Sequence, residues 1–257
     1  MTLATPLPRV DAPTETAVSV DSVTKRYPSG LVALDGIDLA VRPGEFLCLV
    51  GASGCGKSTL LNLIAGLDSP TTGSVTVAGR ATLLFQEAAL LPWSTAAGNV
   101  ELALRLRGVG KAERRSRAGE LLDLVHLGGM GGRRPHELSG GMRQRVALAR
   151  ALAQEADVLL MDEPFGALDA MTRDLLHDEL ERVWKDTGRT IIFVTHNVRE
   201  AARLGDRIVL LTSRPGRVAA TFDVDIARPR RIEAPDVSAL AGRVTAALRE
   251  EVARHGR

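Results

Sequence analysis

Apolar and polar residues follow two different periods along the chain, and each period predicts its own kind of element. Up to Val50, VSVDSV and IDLAV alternate residue by residue, and EFLCLV is a short apolar run that ends at a glycine. Alternation is typical of half-buried strands, and a short apolar run between turn residues is typical of a buried strand. We therefore predict mainly β-structure here, preceded by a Pro/Thr-rich leader over residues 1–16 that we expect to be disordered.

Helical spacing replaces this pattern in the middle of the chain. ELALRLRGV and AERRSRAGELLDLVHL place apolar residues three and four positions apart, which predicts helices and a helical subdomain over about residues 87–155. Beyond it, the short apolar runs DVLLMD, TIIFVTH and RIVLLT alternate with the helical runs LLHDELERVWKDTG and VREAARLG. Buried strands that alternate with helices predict an α/β fold with a mainly parallel sheet.

The C-terminal part returns to strand and closes with a helix. RVAATFDV alternates, and from about Pro235 five apolar residues fall on one helical face, namely Val237, Leu240, Val244, Leu248 and Val252. We predict one domain over residues 17–225, followed by a tail with an amphipathic helix over residues 226–257.

Charge and cysteine content narrow the class of protein. The net charge is +2 and lacks the strong positive excess that is typical of nucleic-acid-binding proteins, so we expect no nucleic-acid partner. Two cysteines, Cys48 and Cys55, do not make a disulfide framework and indicate a reducing compartment. No apolar run approaches the roughly 18 residues that a membrane-spanning helix requires.

The loop GASGCGKS at residues 51–58 fits the pattern G-x-x-x-x-G-K-[ST], with a strand predicted before it and a helix after it. Its glycines let the backbone N–H groups surround phosphates. Lys57 would contact the β- and γ-phosphates, and Ser58 would offer a hydroxyl to Mg²⁺. The nucleotide-binding residues predicted in this loop are Gly51, Ser53, Gly54, Cys55, Gly56, Lys57 and Ser58.

Polar residues at the ends of the other core strands add candidate chemistry. Asp162 ends VLLMD and suits a magnesium ion, while the adjacent Glu163 could polarise an attacking water. Gln86 follows ATLLF and could touch Mg²⁺ or that water, and His196 ends TIIFVTH and could contact a γ-phosphate. Taken singly, each could be an ordinary polar residue at a strand end, but this edge is where open α/β sheets bind ligands. The predicted catalytic residues are Lys57, Gln86, Glu163 and His196, and the predicted magnesium ligands are Ser58, Gln86 and Asp162.

A second helix start also has the features of an anion site. In LSGGMRQRVALARAL, from Leu138 to Leu152, Ser139 and two glycines precede a long helical run. The free N–H groups and positive dipole of such a start attract anions, although a helix capped by Ser139 alone would look the same.

Together these motifs resemble the ATP-binding cassette family, the ATPase subunits of ABC transporters. GASGCGKST matches the Walker A loop and adds Thr59, Gln86 matches the Q-loop, and VLLMDEP matches Walker B. The remaining matches are Tyr27 for the residue that stacks on adenine, LSGGMRQR with Ser139, Gly140 and Gly141 for the family signature, Ala167-Leu168-Asp169 for the D-loop, and His196 for the switch histidine. The resemblance implies a cassette with a mainly parallel core sheet, an antiparallel β subdomain and a helical signature subdomain, with ATP and Mg²⁺ bound.

The resemblance also implies partners. In this family two cassettes pack head to tail, so Ser139, Gly140 and Gly141 would hold the γ-phosphate of the partner's ATP in a homodimer. FQEAALLPWSTAAGNVELAL and SRPGRV resemble the nitrate, sulfonate and taurine importer group. That group implies a separate permease, an extracytoplasmic solute-binding protein and a peripheral location on the cytoplasmic face of the membrane.

Two points stay open at this stage. Leu91 and Trp93 would dock a coupling helix of the permease, or Trp93 would pack inside the helical subdomain. The stretch RATLL between Gly79 and Phe85 is about ten residues shorter than the family pattern, which leaves the geometry before Gln86 undetermined. The alternative function is a soluble or export-type cassette ATPase that is not coupled to solute uptake.

Overall fold

The computed structural model describes residues 16–166 and 168–255. The predicted leader therefore lies outside the described residues except for Thr16, and so does Ala167 of the predicted D-loop. In chain order the strands are β1 (Val18–Arg26), β2 (Val32–Val41), β3 (Phe46–Val50), β4 (Thr72–Val77), β5 (Ala81–Leu84), β6 (Val158–Asp162), β7 (Thr190–Val194), β8 (Arg207–Leu211) and β9 (Val218–Asp223). The helices are α1 (Lys57–Ile64), α2 (Ala96–Leu106), α3 (Lys111–Leu124), α4 (Gly140–Leu152), α5 (Ala170–Thr187), α6 (Val198–Leu204) and α7 (Pro235–His255), with a short 3₁₀ helix over Pro135–Glu137.

The strands form two sheets. A six-stranded sheet has the order β5-β6-β7-β3-β8-β9 and is parallel except for β9, which pairs antiparallel with β8. A three-stranded antiparallel sheet has the order β2-β1-β4. The α/β class, the mainly parallel core sheet and the antiparallel subdomain are confirmed.

The central sheet is buried on both faces, as its apolar runs predict. All residues of β3 and β7 are buried. Phe46 and Cys48 pack into the apolar layer that also holds residues of α2, α4, α5 and α6. Leu47 and Leu49 pack into the layer on the opposite face, which is shared with α1 and the antiparallel sheet. This alternation follows from the two-residue period of a strand. Since β3, β6 and β7 are parallel, the residues that follow them emerge at one edge of the sheet.

Helices α2, α3 and α4 pack against one another in the predicted helical part of the chain. Residues 85–95, which join β5 to α2, are held on α4 by side-chain hydrogen bonds. Gln144 Nε2 donates to the Phe85 carbonyl at 3.1 Å, and the Arg150 guanidinium donates to the Ala88 and Ala89 carbonyls at 2.9 Å each. The Gln86 segment and the helix of the family signature are therefore mechanically joined.

The short connection before Gln86 is accommodated without disturbing the sheet. Gly79, with φ of 84°, turns the chain between the two sheets, and Arg80 N–H donates to Asp157 Oδ2 at 2.8 Å. Ala81 to Leu84 then pair in regular parallel register with β6. The strand β5 thus reaches the usual ligand-binding edge despite the missing residues.

Two helices differ in detail from the sequence patterns that predict them. Helix α5 begins at Ala170 rather than at Leu175, because Asp169 caps it by accepting a hydrogen bond from Thr172 N–H at 2.9 Å. Along α7, Val237, Leu240 and Val244 are buried and Leu248 packs against the core, whereas Val252 is exposed. None of the helices within residues 16–166 and 168–255 combines the length and the apolar character needed to cross a bilayer.

Candidate nucleotide-binding and catalytic site

The glycine loop between β3 and α1 is built around conformations that only glycine adopts easily. Gly56 caps α1 with φ of 99°, in the left-handed region. A Cβ at this position would lie 2.6 Å from Leu34 Cδ2 and 2.8 Å from the Ala33 carbonyl oxygen. The loop is thus wedged against β2, and the N-terminus of α1 opens toward the edge of the sheet with its N–H groups available for an anion.

Lys57 is the buried cation of this loop. Its Nζ donates to the Gly51 carbonyl at 2.9 Å and to the Ala52 carbonyl at 3.1 Å. The Cys55 thiol is also buried, with Sγ 3.7 Å from Lys57 Nζ. A lysine held at the base of a phosphate-binding loop places one fixed positive charge where phosphate oxygens would lie.

The predicted magnesium ligands include a hydroxyl–carboxylate pair. Asp162, at the end of β6, accepts a hydrogen bond from the Ser58 hydroxyl. Burial raises the pKa of Asp162 and the charge of Glu163 raises it further, whereas the bond from Ser58 lowers it. A partly desolvated carboxylate next to a hydroxyl is the oxygen donor set that Mg²⁺ prefers, so these residues fit the ion.

Glu163 occupies a strained position at the centre of the site. Its φ of 45° lies in the left-handed region, which is rare for a residue with a side chain. The Glu163 N–H donates to the Val194 carbonyl at 3.0 Å, and this bond ties the turn to the end of β7. Its Oε2 lies 3.0 Å from His196 Nδ1. The backbone bend and the histidine together fix the direction of this carboxylate.

One cavity of about 330 Å³ collects most of the predicted residues. It is lined by Tyr27, Leu31, Ala33, Ser53, Gly54, Gly56, Lys57, Ser58, Thr59, Gln86, Glu163 and Arg214. The Tyr27 hydroxyl lies 3.3 Å from Thr59 Oγ1, and Lys25 Nζ lies 5.3 Å from the centre of the Tyr27 ring. Gln86 therefore lies in the same cavity as the glycine loop and Glu163.

The second helix start lies elsewhere. Ser139 caps α4 with its own hydroxyl, which accepts from Met142 N–H at 3.2 Å, and Gly140 is exposed. The residues that line the cavity within this chain, as far as the structure describes it, include none of Ser139, Gly140 and Gly141. Asp169 is likewise exposed, and its bonds to Thr172 lower the pKa of its carboxyl group. Among the described residues, Ser139, Gly140, Gly141 and Asp169 thus lie outside the cavity that the glycine loop lines.

A buried polar network behind His196 escaped the sequence analysis. Thr195 Oγ1 donates to Glu200 Oε2 at 2.7 Å, and Glu200 Oε1 lies 3.6 Å from Arg173 Nε. Arg173 in turn donates to the Leu168 carbonyl at 2.9 Å, next to Asp169. Burial raises the pKa of Glu200. The loop that carries His196 is thereby linked to the segment that carries Asp169.

Arg214 also lines the cavity, and sequence reasoning did not select it. It belongs to the stretch SRPGRV, whose resemblance to one importer group was the available signal. Its Nε donates to the Gly54 carbonyl at 3.3 Å, 160 residues away in the chain.

Comparisons with known proteins agree with this geometry. The sequence profile described as ABC transporter matches residues 34–166. The chain is 46% identical over 236 residues to a taurine import ATP-binding protein of Rhizobium johnstonii, which covers 88% of this chain and 90% of that protein. It is 48% identical over 230 residues to an aliphatic sulfonates import ATP-binding protein of Agrobacterium fabrum, which covers 89% and 82%. A dimeric ATP-binding cassette, solved in a post-hydrolysis state with ADP and Pi, superposes with a TM-score of 0.76 at 35% identity over 82% of this chain and 100% of that one.

Proposed function

This chain belongs to the ABC transporter family as an ATP-hydrolysing cassette, and from that premise we propose that it powers uptake of a small anion through a separate permease. Taurine, an aliphatic sulfonate and nitrate are the candidate solutes. The observation that carries the proposal is one cavity that joins the glycine loop to Gln86 and to Glu163, whose carboxylate in turn contacts His196. The taurine and sulfonate import proteins described above support the direction and class of transport.

The predicted side chains in the cavity and beside it divide the work of this ATPase among them. The Tyr27 ring stacks on adenine, and Lys57 with the N–H groups of the glycine loop holds the phosphates. Ser58, Asp162 and Gln86 would hold Mg²⁺, which neutralises charge on the phosphate oxygens when bound. Glu163 accepts a proton from the attacking water as the water oxygen bonds to the γ-phosphorus and the bond to the β-phosphate oxygen breaks. His196 keeps Glu163 aimed through Nδ1 and contacts the γ-phosphate through Nε2.

The working unit is a head-to-tail homodimer that holds ATP between unlike faces. Ser139, Gly140 and Gly141 contact the γ-phosphate of the nucleotide bound by the partner, with Asp169 beside them. Ser139, Gly140 and Asp169 are exposed, Gly141 is half-buried, and none of them lines the cavity of its own chain. This position supports the arrangement, and so does the dimeric state of the cassette that superposes on this chain. Two-fold symmetry then gives two equal composite sites.

The permease docks on a groove of the helical part. The groove is about 260 Å³ and is lined by Leu91, Trp93, Ser94, Gly98, Glu101, Leu102, Arg105 and Arg114. Trp93 is 73% exposed, which excludes the alternative that it packs inside the helical subdomain. A large exposed aromatic side chain beside a groove is typical of a docking site. Since residues 85–95 are bonded to α4, movement at this groove would reach both Gln86 and the signature.

This arrangement places the chain on the cytoplasmic face of the membrane as a peripheral subunit, with the solute-binding protein acting from the other side through the permease. To test the function, cells that lack this chain are supplied with either the wild type or Glu163→Gln. We expect the wild type alone to restore uptake of labelled taurine, an alkanesulfonate or nitrate. Unchanged uptake of all three in the lacking cells, with no integral membrane protein co-purifying with Glu163→Gln, would support the soluble or export-type alternative.

The docking surface is tested by Trp93→Ala, with Leu106→Ala as the matched control. Leu106 is 79% exposed on α2 and does not line the groove. We expect Trp93→Ala to lower uptake by about thirtyfold while the ATPase rate of the isolated chain stays within twofold, because removal of a central aromatic anchor costs roughly 2 kcal/mol or more. An equal loss of uptake with Leu106→Ala would refute the assignment of the groove.

A further inference from the structure

The stretch SRPGRV forms the loop between β8 and β9, and this loop is packed directly on the nucleotide cavity. Gly216 N–H donates to the Ala33 carbonyl at 2.9 Å, and Asp35 N–H donates to the Gly216 carbonyl at 3.0 Å. A Cβ on Gly216 would lie 2.2 Å from the Cys55 carbonyl oxygen, so only glycine permits this approach. The loop is therefore a wall of the cavity, against both β2 and the glycine loop.

The loop is also fixed by its own hydrogen bonds. The Thr212 hydroxyl donates to the Pro215 carbonyl at 2.7 Å and accepts from Arg217 N–H at 2.9 Å. The Thr212 N–H also donates to the Arg217 carbonyl at 2.9 Å, so these bonds hold the loop through its backbone and the Thr212 hydroxyl. The backbone that carries Arg214 is thereby ordered, so the loop has little backbone entropy left to lose on binding.

Arg214 lies at the mouth of the cavity with most of its donors uncommitted. Its Nε donates to the Gly54 carbonyl at 3.3 Å, and its Nη2 lies 2.7 Å from where a Cβ on Gly54 would be. Within the part of the chain that the structure describes, its guanidinium pairs with no carboxylate. By contrast, Arg217 in the same loop pairs with Asp35 and does not line the cavity.

The charged side chains that line the cavity indicate which kind of ligand the Arg214 guanidinium would bind. They are Lys57, Glu163 and Arg214, and Lys57 is already bonded to two loop carbonyls. We propose that Arg214 binds the phosphate chain of the nucleotide and makes the site discriminate phosphorylated from unphosphorylated adenine compounds. A planar guanidinium with several N–H donors suits phosphate oxygens, and such charge-assisted bonds are stronger than neutral ones. This inference rests on the proposed ATP site and assigns one further residue to it.

The test measures dissociation constants of the purified full chain for ATP, ADP and adenosine by competition with a fluorescent nucleotide. The variants are Arg214→Ala, Arg214→Lys, Arg217→Ala and Lys57→Met. We expect Arg214→Ala to weaken ATP and ADP by about tenfold, as the loss of a partly exposed charge-assisted bond predicts. We expect Arg214→Lys to retain part of the affinity for ATP and ADP. The affinity of Arg214→Ala for adenosine, and the affinity of Arg217→Ala for ATP and ADP, should stay within twofold of wild type.

Three results would overturn the role of Arg214. The first is that Arg214→Ala binds ATP and ADP within twofold of wild type. The second is an equal loss of affinity for adenosine in Arg214→Ala, which would place the contact on the base or ribose. The third is an equal loss of ATP affinity in Arg217→Ala, which would assign the effect to the shape of the loop. Lys57→Met separates this failure from that of the site itself. If Lys57→Met also leaves ATP affinity unchanged, the cavity is not the ATP site.

Discussion

Helices α1 and α4 each have a glycine at or directly before their first residue, and the surroundings of these two helix starts differ. Helix α1 starts after Gly56, which is left-handed and has no side-chain cap, at the base of a cavity that also holds Glu163. Helix α4 starts after Ser139, which is extended and caps the helix with its own hydroxyl. The first start has its catalytic groups within the same chain, whereas Ser139 and the glycines after it lie outside that cavity among the described residues.

The difference shows why local chemistry alone does not define a site. Both helix starts attract anions through their N–H groups and dipole. At α1 the parallel sheet brings a lysine, two carboxylates and a histidine to the same edge. Among the described residues, Ser139, Gly140 and Gly141 at the start of α4 do not line that cavity, so in the proposed dimer an anion bound there takes its remaining groups from the partner. The composite sites of the proposed dimer therefore account for the difference between the starts of α1 and α4.

The largest expected effect on the ATPase rate comes from Glu163→Gln, which removes the proton acceptor beside the glycine loop. We expect the ATPase rate to fall by about 10²- to 10⁴-fold, the usual contribution of a general base. ATP binding should persist, because Lys57 and the glycine loop are unchanged, and size-exclusion chromatography with Mg-ATP should then show a dimer.

Glu113→Gln is the control, because Glu113 is an exposed carboxylate on α3. We expect it to hydrolyse ATP at the wild-type rate. Wild-type turnover by Glu163→Gln would show that another group accepts the proton. A Glu163→Gln variant that binds ATP and stays monomeric at high concentration and alongside its permease would contradict the composite site.

A mixing experiment tests directly whether the two helix starts act on the same nucleotide across the dimer. Ser139→Arg blocks the signature and Lys57→Met blocks the glycine loop, so each variant alone should be inactive. In a mixed dimer, the intact loop of the first variant faces the intact signature of the second. An equal mixture should recover about a quarter of the wild-type ATPase rate, since half of the dimers are mixed and each has one intact site.

The control for this experiment is each variant mixed with an equal amount of itself, at the same total concentration. We also expect Ser139→Arg to bind ATP as a monomer with wild-type affinity. No recovery in the mixture, together with intact ATP binding by Ser139→Arg, would show that the signature does not serve the partner's site.

Replacement of Gly56 tests the rigidity of the complete site. In Gly56→Ala the new methyl group must fit 2.6 Å from Leu34 and 2.8 Å from the Ala33 carbonyl at a φ of 99°. We expect the free energy of unfolding to fall by about 2–4 kcal/mol, from left-handed strain and overpacking together. Urea denaturation measures the change.

Gly66→Ala separates strain from crowding. Gly66 has φ of 69° but no atom within 4 Å of its Cβ position, so this variant should lose about 1–2 kcal/mol from strain alone. If Gly56→Ala is no less stable than Gly66→Ala, the loop is not wedged against β2 as described.

The parts of the site that sequence reasoning could predict are those that one strand and its following turn determine. The glycine loop, Asp162, Glu163 and His196 each end a buried parallel strand, and the topology of such sheets brings these ends together. The fold class follows from the same short apolar runs.

The parts that could not be predicted depend on contacts between distant segments. Arg214 reaches Gly54 because β8 and β9 form an antiparallel pair whose loop lands on the glycine loop. Glu200 meets Arg173 because α6 packs near α5, and neither segment has a local pattern that indicates this pairing. Trp93 was ambiguous because an apolar residue is compatible with burial or with docking, and only its surroundings decide.

The smallest expected change in stability comes from Gly140→Ala, which alters only the start of α4. A Cβ on Gly140 would meet only Arg143 Nη2, at 3.8 Å, and Gly140 already has helical geometry. Gly140→Ala should therefore stabilise the isolated chain by about 0.5–1 kcal/mol, as alanine does in helices. The ATPase rate should nevertheless fall by roughly tenfold or more, because the methyl group would hold the partner's phosphate at a greater distance.

Gly119→Ala on α3 is the matched control, because a Cβ there would have no atom within 4 Å. It should give the same gain in urea denaturation with no loss of ATPase rate. Glycine at position 140 makes the helix less stable than alanine would, and nothing within 3.5 Å among the described residues of its own chain requires glycine there. Close contact with another molecule would explain this choice. If Gly140→Ala is stabilised and hydrolyses ATP as fast as Gly119→Ala, nothing approaches Gly140 closely, and α4 is an ordinary capped helix.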